Sequence, residues 1–251
     1  MKKFIALSLV TLFLFAFVAA QATNQPAPTQ TSKEAKKLLA KYIEAQGGEK
    51  TLAGIKDTTI TGTMQISQFG MSGTVTMYQK EPNKMRIDVE IAGTAITQAF
   101  DGEVAWMTNP QTGATETLPE NMTKEFKRQA LGNDALLNPE KYGITYAVKG
   151  KEKIEEKEYL LLEQTTPDGH KIAFYLDPST YLPYKAKGTT LGQAGVEVMG
   201  ESIFGDYKKV DGVVMAHSMT TYQDGQEYAK MTFTKVVFNS NLEDAFFKMS
   251  K

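Results

Sequence analysis

The 251-residue sequence has no cysteine, two histidines, one tryptophan and, among its 28 basic residues, only two arginines, Arg86 and Arg128. Without cysteine there can be no disulfide, thiolate metal site or thiol nucleophile, and the fold must rest on its core alone. His170 and His217 lie far apart in sequence, with no H-x-x-x-H or H-E-x-x-H spacing. Two isolated histidines beside strand residues read as surface or cross-strand partners and not as metal ligands. No G-x-S-x-G elbow, Walker loop or G-x-G-x-x-G occurs. The acidic run Glu152 to Glu158 (EKIEEKE) mixes signs beside Gly150 and reads as a solvated turn. No nucleophile and base stand at a recognisable spacing, so neither an enzyme, a cofactor nor a metal is expected.

Long apolar runs are also scarce. The one present is Phe4 to Val18, about fifteen residues, preceded by Lys2 and Lys3 and followed by Val18-Ala19-Ala20. A positive n-region, an apolar h-region and small residues before a cut form a signal peptide, expected at 1–20. The run is shorter than the ~20 residues a spanning helix needs. Residues 21–32, with TNQPAPTQTS, read as a disordered tether, which leaves 33–251 as a single domain. Removing Lys2 and Lys3 leaves 26 basic against 29 acidic residues, a formal charge near −3. No basic stripe marks a nucleic-acid binder. No second apolar segment suggests a membrane span after cleavage.

What remains is mostly strand pattern. Residues 74–108 hold four short runs, 74–80, 84–91, 94–101 and 103–108, broken at Glu81-Pro82-Asn83, Ala92-Gly93 and Asp101-Gly102. An Asp-Gly pair between alternating runs suits a type I′ hairpin, because both residues tolerate positive φ. Further runs are expected at 58–68, 144–149, 158–165, 170–177, 184–188, 196–204, 213–222 and 227–238. Helices are expected over Lys33 to Gln46, with Ser32 as N-cap and Gly47-Gly48 as the stop, and over Leu118 to Leu131. Met122, Phe126 and Leu131 share a face of the second, residues 133–143 read as loop, and 242–247 as a short terminal helix. The class is mainly β with few helices (α+β), one large antiparallel sheet, closed or half closed.

The functional signals are two-sided. Glu158 to Leu162 and Ile172 to Leu176 are apolar on both faces. Either one face meets the core and the other a covering helix, or the sheet curves around an apolar cavity. In PNKMRIDVEIAG, Met85, Ile87, Val89 and Ile91 share one face while Arg86, Asp88 and Glu90 share the other. Arg86 is then either an outer-face ion-pair partner or a fork of donors at a cavity mouth. Methionines and aromatics such as Phe100 and Trp106 would serve a filled core and a lipid cavity alike.

These residues resemble the LolA/LolB-like outer-membrane lipoprotein-sorting carriers. The likeness rests on Pro82-Asn83, Arg86, Asp101-Gly102 and Trp106, on Tyr175-Leu176-Asp177-Pro178 leading to Leu182-Pro183, and on Asp206-Tyr207 before Val210-Asp211-Gly212-Val213. Asn239 to Phe247 and the Tyr42-Ile43 to Gly47-Gly48 helix end add to it. Thr94 to Gln98 departs from the more polar, proline-containing stretch usual there. The resemblance implies an incomplete antiparallel β-barrel of about eleven strands closed by helices, with an apolar interior for acyl chains. It implies a helical lid within Pro119 to Leu131 and a ligand-binding set of Arg86, Phe100, Trp106, Met122 and Phe126. The implied function is a monomeric periplasmic carrier or chaperone. It would take an acylated lipoprotein or another lipid towards the outer membrane, between an inner-membrane transporter and an outer-membrane acceptor. The alternative is a non-transporting envelope interaction or sensor module on the same fold.

Overall fold

A computed structural model describes residues 30–192 and 196–249. The expected signal peptide (1–20) and most of the expected tether (21–32) lie outside the described residues. The described chain builds one antiparallel sheet of thirteen strands, not eleven. Six come first: β1 (Asp57–Ile66), β2 (Met71–Lys80), β3 (Lys84–Ile91), β4 (Thr94–Phe100), β5 (Ala105–Thr108) and β6 (Thr115–Thr117). Seven follow: β7 (Thr145–Ile154), β8 (Lys157–Thr165), β9 (Lys171–Leu176), β10 (Pro183–Leu191), β11 (Glu197–Val210), β12 (Val213–Gln223) and β13 (Gln226–Phe238). Each group is a meander, and the pairing of β1 with β13 joins them in the order β6-β5-β4-β3-β2-β1-β13-β12-β11-β10-β9-β8-β7.

The sheet is therefore open, with β6 and β7 as its edges. The chain between these edges supplies two helices, α3 (Glu120–Gln129) and α4 (Asn133–Leu137), followed by a 3₁₀ turn at Pro139–Tyr142. The expected loop at 133–143 is thus largely helical. Its start is held by Glu81 of the β2–β3 turn, whose carboxylate accepts the backbone N–H groups of Asn133 (2.5 Å) and Asp134 (3.2 Å). A carboxylate at a helix start satisfies orphan donors, and this one comes from about fifty residues away.

Two earlier helices precede the sheet, α1 (Lys33–Ala45) and α2 (Glu49–Ala53). Ser32 Oγ accepts the Ala35 N–H at 3.1 Å, capping α1 as expected. Gly47 and Gly48 end it with φ of 127° and 84°. A Cβ on Gly47 would stand 2.5 Å from the Gly212 carbonyl oxygen, so glycine also lets α1 meet the β11–β12 turn.

The hairpin turns split by mechanism. Ala92-Gly93, Asp211-Gly212 and Asp224-Gly225 have positive φ at both positions, as a type I′ turn requires. Asp101-Gly102 does not: only Gly102 is at positive φ, and Asp101 Oδ1 accepts the N–H groups of Glu103 and Val104. The aspartate side chain organises that turn itself.

Two apolar layers pack on the concave face. Under α3, Phe126 and Ala130 meet Phe100, Met85, Ile87, Met107 and Ile96 from β3 to β5. Under α1, Ala35 and Leu39 meet Ile144, Tyr146, Leu162 and Leu176 from the β7 side. Strands β8 and β9 are apolar on both faces for two different reasons. Their concave side packs under α1, while Tyr159 stacks on Tyr184 (4.7 Å) and Lys185 Nζ lies 4.5 Å over Tyr175 on the convex side. No helix covers that second face among the described residues.

Candidate functional site

Between the two apolar layers the concave side holds a cavity of about 450 Å³, within the usual range for small-ligand pockets, roughly 300–1,000 Å³. Its floor is Ile60 on β1, Met77 on β2 and Met85 and Ile87 on β3, side chains made neighbours by the β1–β2 and β2–β3 registers. Ile144, Tyr146, Ile172 and Phe174 form the opposite wall. Leu131, Ala135 and Leu136 roof it from the α3–α4 corner, and Tyr42 and Gln46 come from the end of α1. Tyr42 and Phe174 approach at 6.3 Å between ring centroids.

A polar fringe crosses this lining. Gln79 donates through Nε2 to the Leu131 carbonyl at 3.1 Å, tying β2 to the roof. Among the described residues, Gln46 Oε1 and Arg128 Nε are buried without a hydrogen-bond partner. The two Nη nitrogens of Arg128 each meet a carboxylate: Nη2 donates to Glu125 Oε2 at 2.7 Å and Nη1 to Asp168 Oδ2 at 2.5 Å. Glu125 is fully buried and also accepts from Gln129 Nε2, while Asp168 accepts from Thr166 Oγ1. This network fastens α3 to the β8–β9 turn.

Its groups titrate away from their ordinary ranges. Burial pushes the Glu125 carboxyl up, with the hydrogen bonds from Arg128 and Gln129 only partly offsetting it. Burial acts on Asp168 too, but the Thr166 hydroxyl and the Arg128 guanidinium outweigh it and hold that carboxyl down. His170 is pushed down to about 4 by burial, with the Arg128 charge adding to the shift. His170 is half-buried in the turn between β8 and β9. His217 is buried, with Nδ1 3.1 Å from the Met215 carbonyl. Among the described residues no group of three His, Asp or Glu side chains is placed to hold a metal ion.

The five residues expected to bind ligand fall into two groups on opposite faces. Phe100, Met122 and Phe126 lie on the concave side, in the packed layer under α3 beside the cavity. The void begins at the C-terminal end of that helix, at Arg128, Gln129 and Leu131. Arg86 and Trp106 lie on the convex face, in one row with Tyr78 and Ala99 through the β2–β3, β3–β4 and β4–β5 registers. They hold the terminal 3₁₀ turn, Asp244–Phe247. Arg86 Nη1 donates to the Phe246 carbonyl at 3.0 Å, its guanidinium lies 4.3 Å over the Phe246 ring, and Nε donates to Asp88 at 2.9 Å. Trp106 Nε1 donates to the Phe247 carbonyl at 2.8 Å, and Phe247 itself is fully buried. Of the two readings of Arg86, its position is that of the outer face.

Arg128, Gln46, Met77 and Phe174 went unnoticed in the sequence as a set. One signal was there: Arg128 is the second of only two arginines and follows Glu125 by three residues on a helix face.

An open antiparallel half-barrel, roofed by helices and hollow between them, is the LolA/LolB-like fold. A Vibrio parahaemolyticus domain assigned to the outer membrane lipoprotein-sorting proteins matches with a TM-score of 0.58 at 18% identity, over 85% of this chain and 97% of its own. A DUF1329 family protein from Desulfovibrio piger gives 0.58 at 16% identity, covering 88% and 98%. A LolA superfamily protein from Nitrosomonas europaea gives 0.56 at 14%, covering 85% and 97%. At such identities the likeness establishes the fold and not the activity. A family model whose description reads "Uncharacterized protein" matches residues 84–251, and the chain belongs to that family. No curated protein matches it.

Proposed function

We propose that this protein is a soluble periplasmic carrier that takes an acyl chain, from a lipoprotein or another lipid, into its half-barrel and moves it towards the outer membrane. The observation that carries this reading is the cavity of about 450 Å³ between the helical roof and the sheet, walled by Ile60, Met77, Ile87, Ile172 and Phe174. Binding there needs no catalytic group. Each buried methylene gains roughly 0.8 kcal/mol, so a chain of about fifteen carbons gains on the order of 12 kcal/mol before immobilisation is subtracted. The shared fold with a domain assigned to lipoprotein sorting supports the same reading. Among the described residues no helix is long and apolar enough to cross a membrane. The carrier would receive cargo from an inner-membrane transporter and deliver it to an outer-membrane acceptor.

The test is lipid mass spectrometry of the protein purified from the envelope, with titration of a fluorescent fatty-acid probe. Co-purified lipid and saturable, displaceable probe binding are expected. Absence of both, with capture of an envelope protein, would instead indicate an interaction module.

A further inference from the structure

Resting on the carrier reading, the capacity of the hollow specifies the class of cargo. An open sheet with two free edges does not fix the width of its own concave side, because its two halves can flex apart. Here the α3–α4 corner fixes it. On one side the Leu131 carbonyl accepts from Gln79 Nε2 at 3.1 Å, the Gly132 N–H donates to the Pro82 carbonyl at 3.2 Å, and Glu81 holds the N–H groups of Asn133 and Asp134. On the other side Arg128 Nη1 reaches Asp168 in the β8–β9 turn at 2.5 Å. Five strands separate β2 from β9 in the sheet order, so residues 128–134 bridge the concave side as a strut. The end of α1 is tied down as well, with the Val214 N–H donating to the Gln46 carbonyl at 2.9 Å. Widening the hollow would break charge-assisted hydrogen bonds, which are the stronger kind.

The width so fixed encloses about 450 Å³. A methylene takes roughly 23–28 Å³ between close-packed and liquid-like chains, so this space holds one chain of about sixteen to twenty carbons. Two sixteen-carbon chains would need at least about 740 Å³ even when close-packed. Flexible Met77 and Met85 in the floor let one chain fit well but do not double the volume.

We infer that the hollow is a single-chain site: it takes a monoacyl amphiphile, a fatty acid or a lysophospholipid, and not a diacyl lipid or a multiply acylated protein anchor. The strut sets this capacity, and Asp168 is a positioning residue that acts through Arg128.

The first experiment is displacement of a fluorescent fatty-acid probe by saturated fatty acids from decanoate to docosanoate, each below its aggregation concentration. Affinity is expected to rise about fourfold per added methylene and to stop rising at about sixteen to twenty carbons. In a second, wild type and Asp168→Ala meet the same phosphatidylcholine vesicles holding equal monopalmitoyl and dipalmitoyl forms, and mass spectrometry counts the lipid that leaves with each protein. The shared vesicles cancel the different ease with which the two lipids leave. The wild type is expected to carry one monopalmitoyl molecule per chain. In the variant the dipalmitoyl-to-monopalmitoyl ratio should rise at least about fivefold, ~1 kcal/mol. Affinity that keeps rising through docosanoate, or one dipalmitoyl molecule per wild-type chain, would overturn the single-chain assignment and leave the carrier reading standing. An unchanged ratio in an Asp168→Ala protein that melts cooperatively would overturn the role given to Asp168. The wild-type measurements decide the assignment whether or not the variant folds. A probe that does not bind, with no lipid carried, would remove the carrier reading and this inference with it.

Discussion

Replacing Arg86 with leucine separates the two readings of this residue. Its side chain is about one-fifth exposed and makes three kinds of contact: a charged donor to the Phe246 carbonyl at 3.0 Å, an ion pair with Asp88 at 2.9 Å, and a guanidinium 4.3 Å over the Phe246 ring. A hydrogen bond from a charged group contributes about 1.5–3 kcal/mol. The cation–π contact adds about 0.5–1 kcal/mol, and the partly exposed ion pair about 1 kcal/mol or less. Leucine still covers the Phe246 ring, Asp88 still accepts from Thr97 Oγ1 at 2.7 Å, and Trp106 still holds Phe247. The net loss is therefore expected to be about 2–3 kcal/mol of stability, with probe affinity within about twofold of wild type, a change under ~0.5 kcal/mol. Urea unfolding and probe titration on the same preparation measure both. Unchanged stability together with weakened loading or release would refute this, because it would require Arg86 to act on ligand and not on the terminal turn.

Phe126→Ala is expected to cost about 3–5 kcal/mol, since the ring is fully buried under α3 against Phe100 and truncation leaves a void; a urea midpoint within error of wild type would argue that α3 does not pack as described. Acidification acts through His170, whose folded value of about 4 lies below the ordinary 6.5. Between these values the unfolded chain binds more protons, so this contribution is fully present above about pH 6.5 and is lost as pH falls towards 4. Glu125, raised by burial, slopes the other way. The difference between wild type and His170→Gln isolates the histidine, and it should shrink steadily from pH 7 to pH 4.5 in urea melts. A difference that does not change over that interval would show that His170 is not held neutral by its surroundings.

The meanders were legible because strand alternation is local: β3 alternates Met85, Ile87, Val89, Ile91 against Arg86, Asp88, Glu90, and these are its two faces. Strand β6, Thr115–Thr117, carries no apolar alternation and is visible only through its pairing with β5. Helix α4 depends on a carboxylate from Glu81, which no local pattern reveals. The same limit governs the site. Alternation sets Arg86 opposite the apolar face, but what covers that side comes from Phe246 and Phe247, 160 residues later. The acyl-binding expectation gathered Phe100, Met122 and Phe126, which fill the layer under α3. The hollow itself lies where α1, the α3–α4 corner and β9 converge, a meeting set by tertiary packing alone.

The central claim is that the hollow between the two roofed layers is where cargo sits. Met77→Trp tests it by filling the floor of the cavity from β2 without touching the polar fringe. Probe titration of wild type and variant, each checked for a cooperative melt, should show saturable binding by the wild type and at least about tenfold weaker binding by the variant, ~1.4 kcal/mol. Full affinity in a folded Met77→Trp protein would place the binding surface elsewhere and contradict the account.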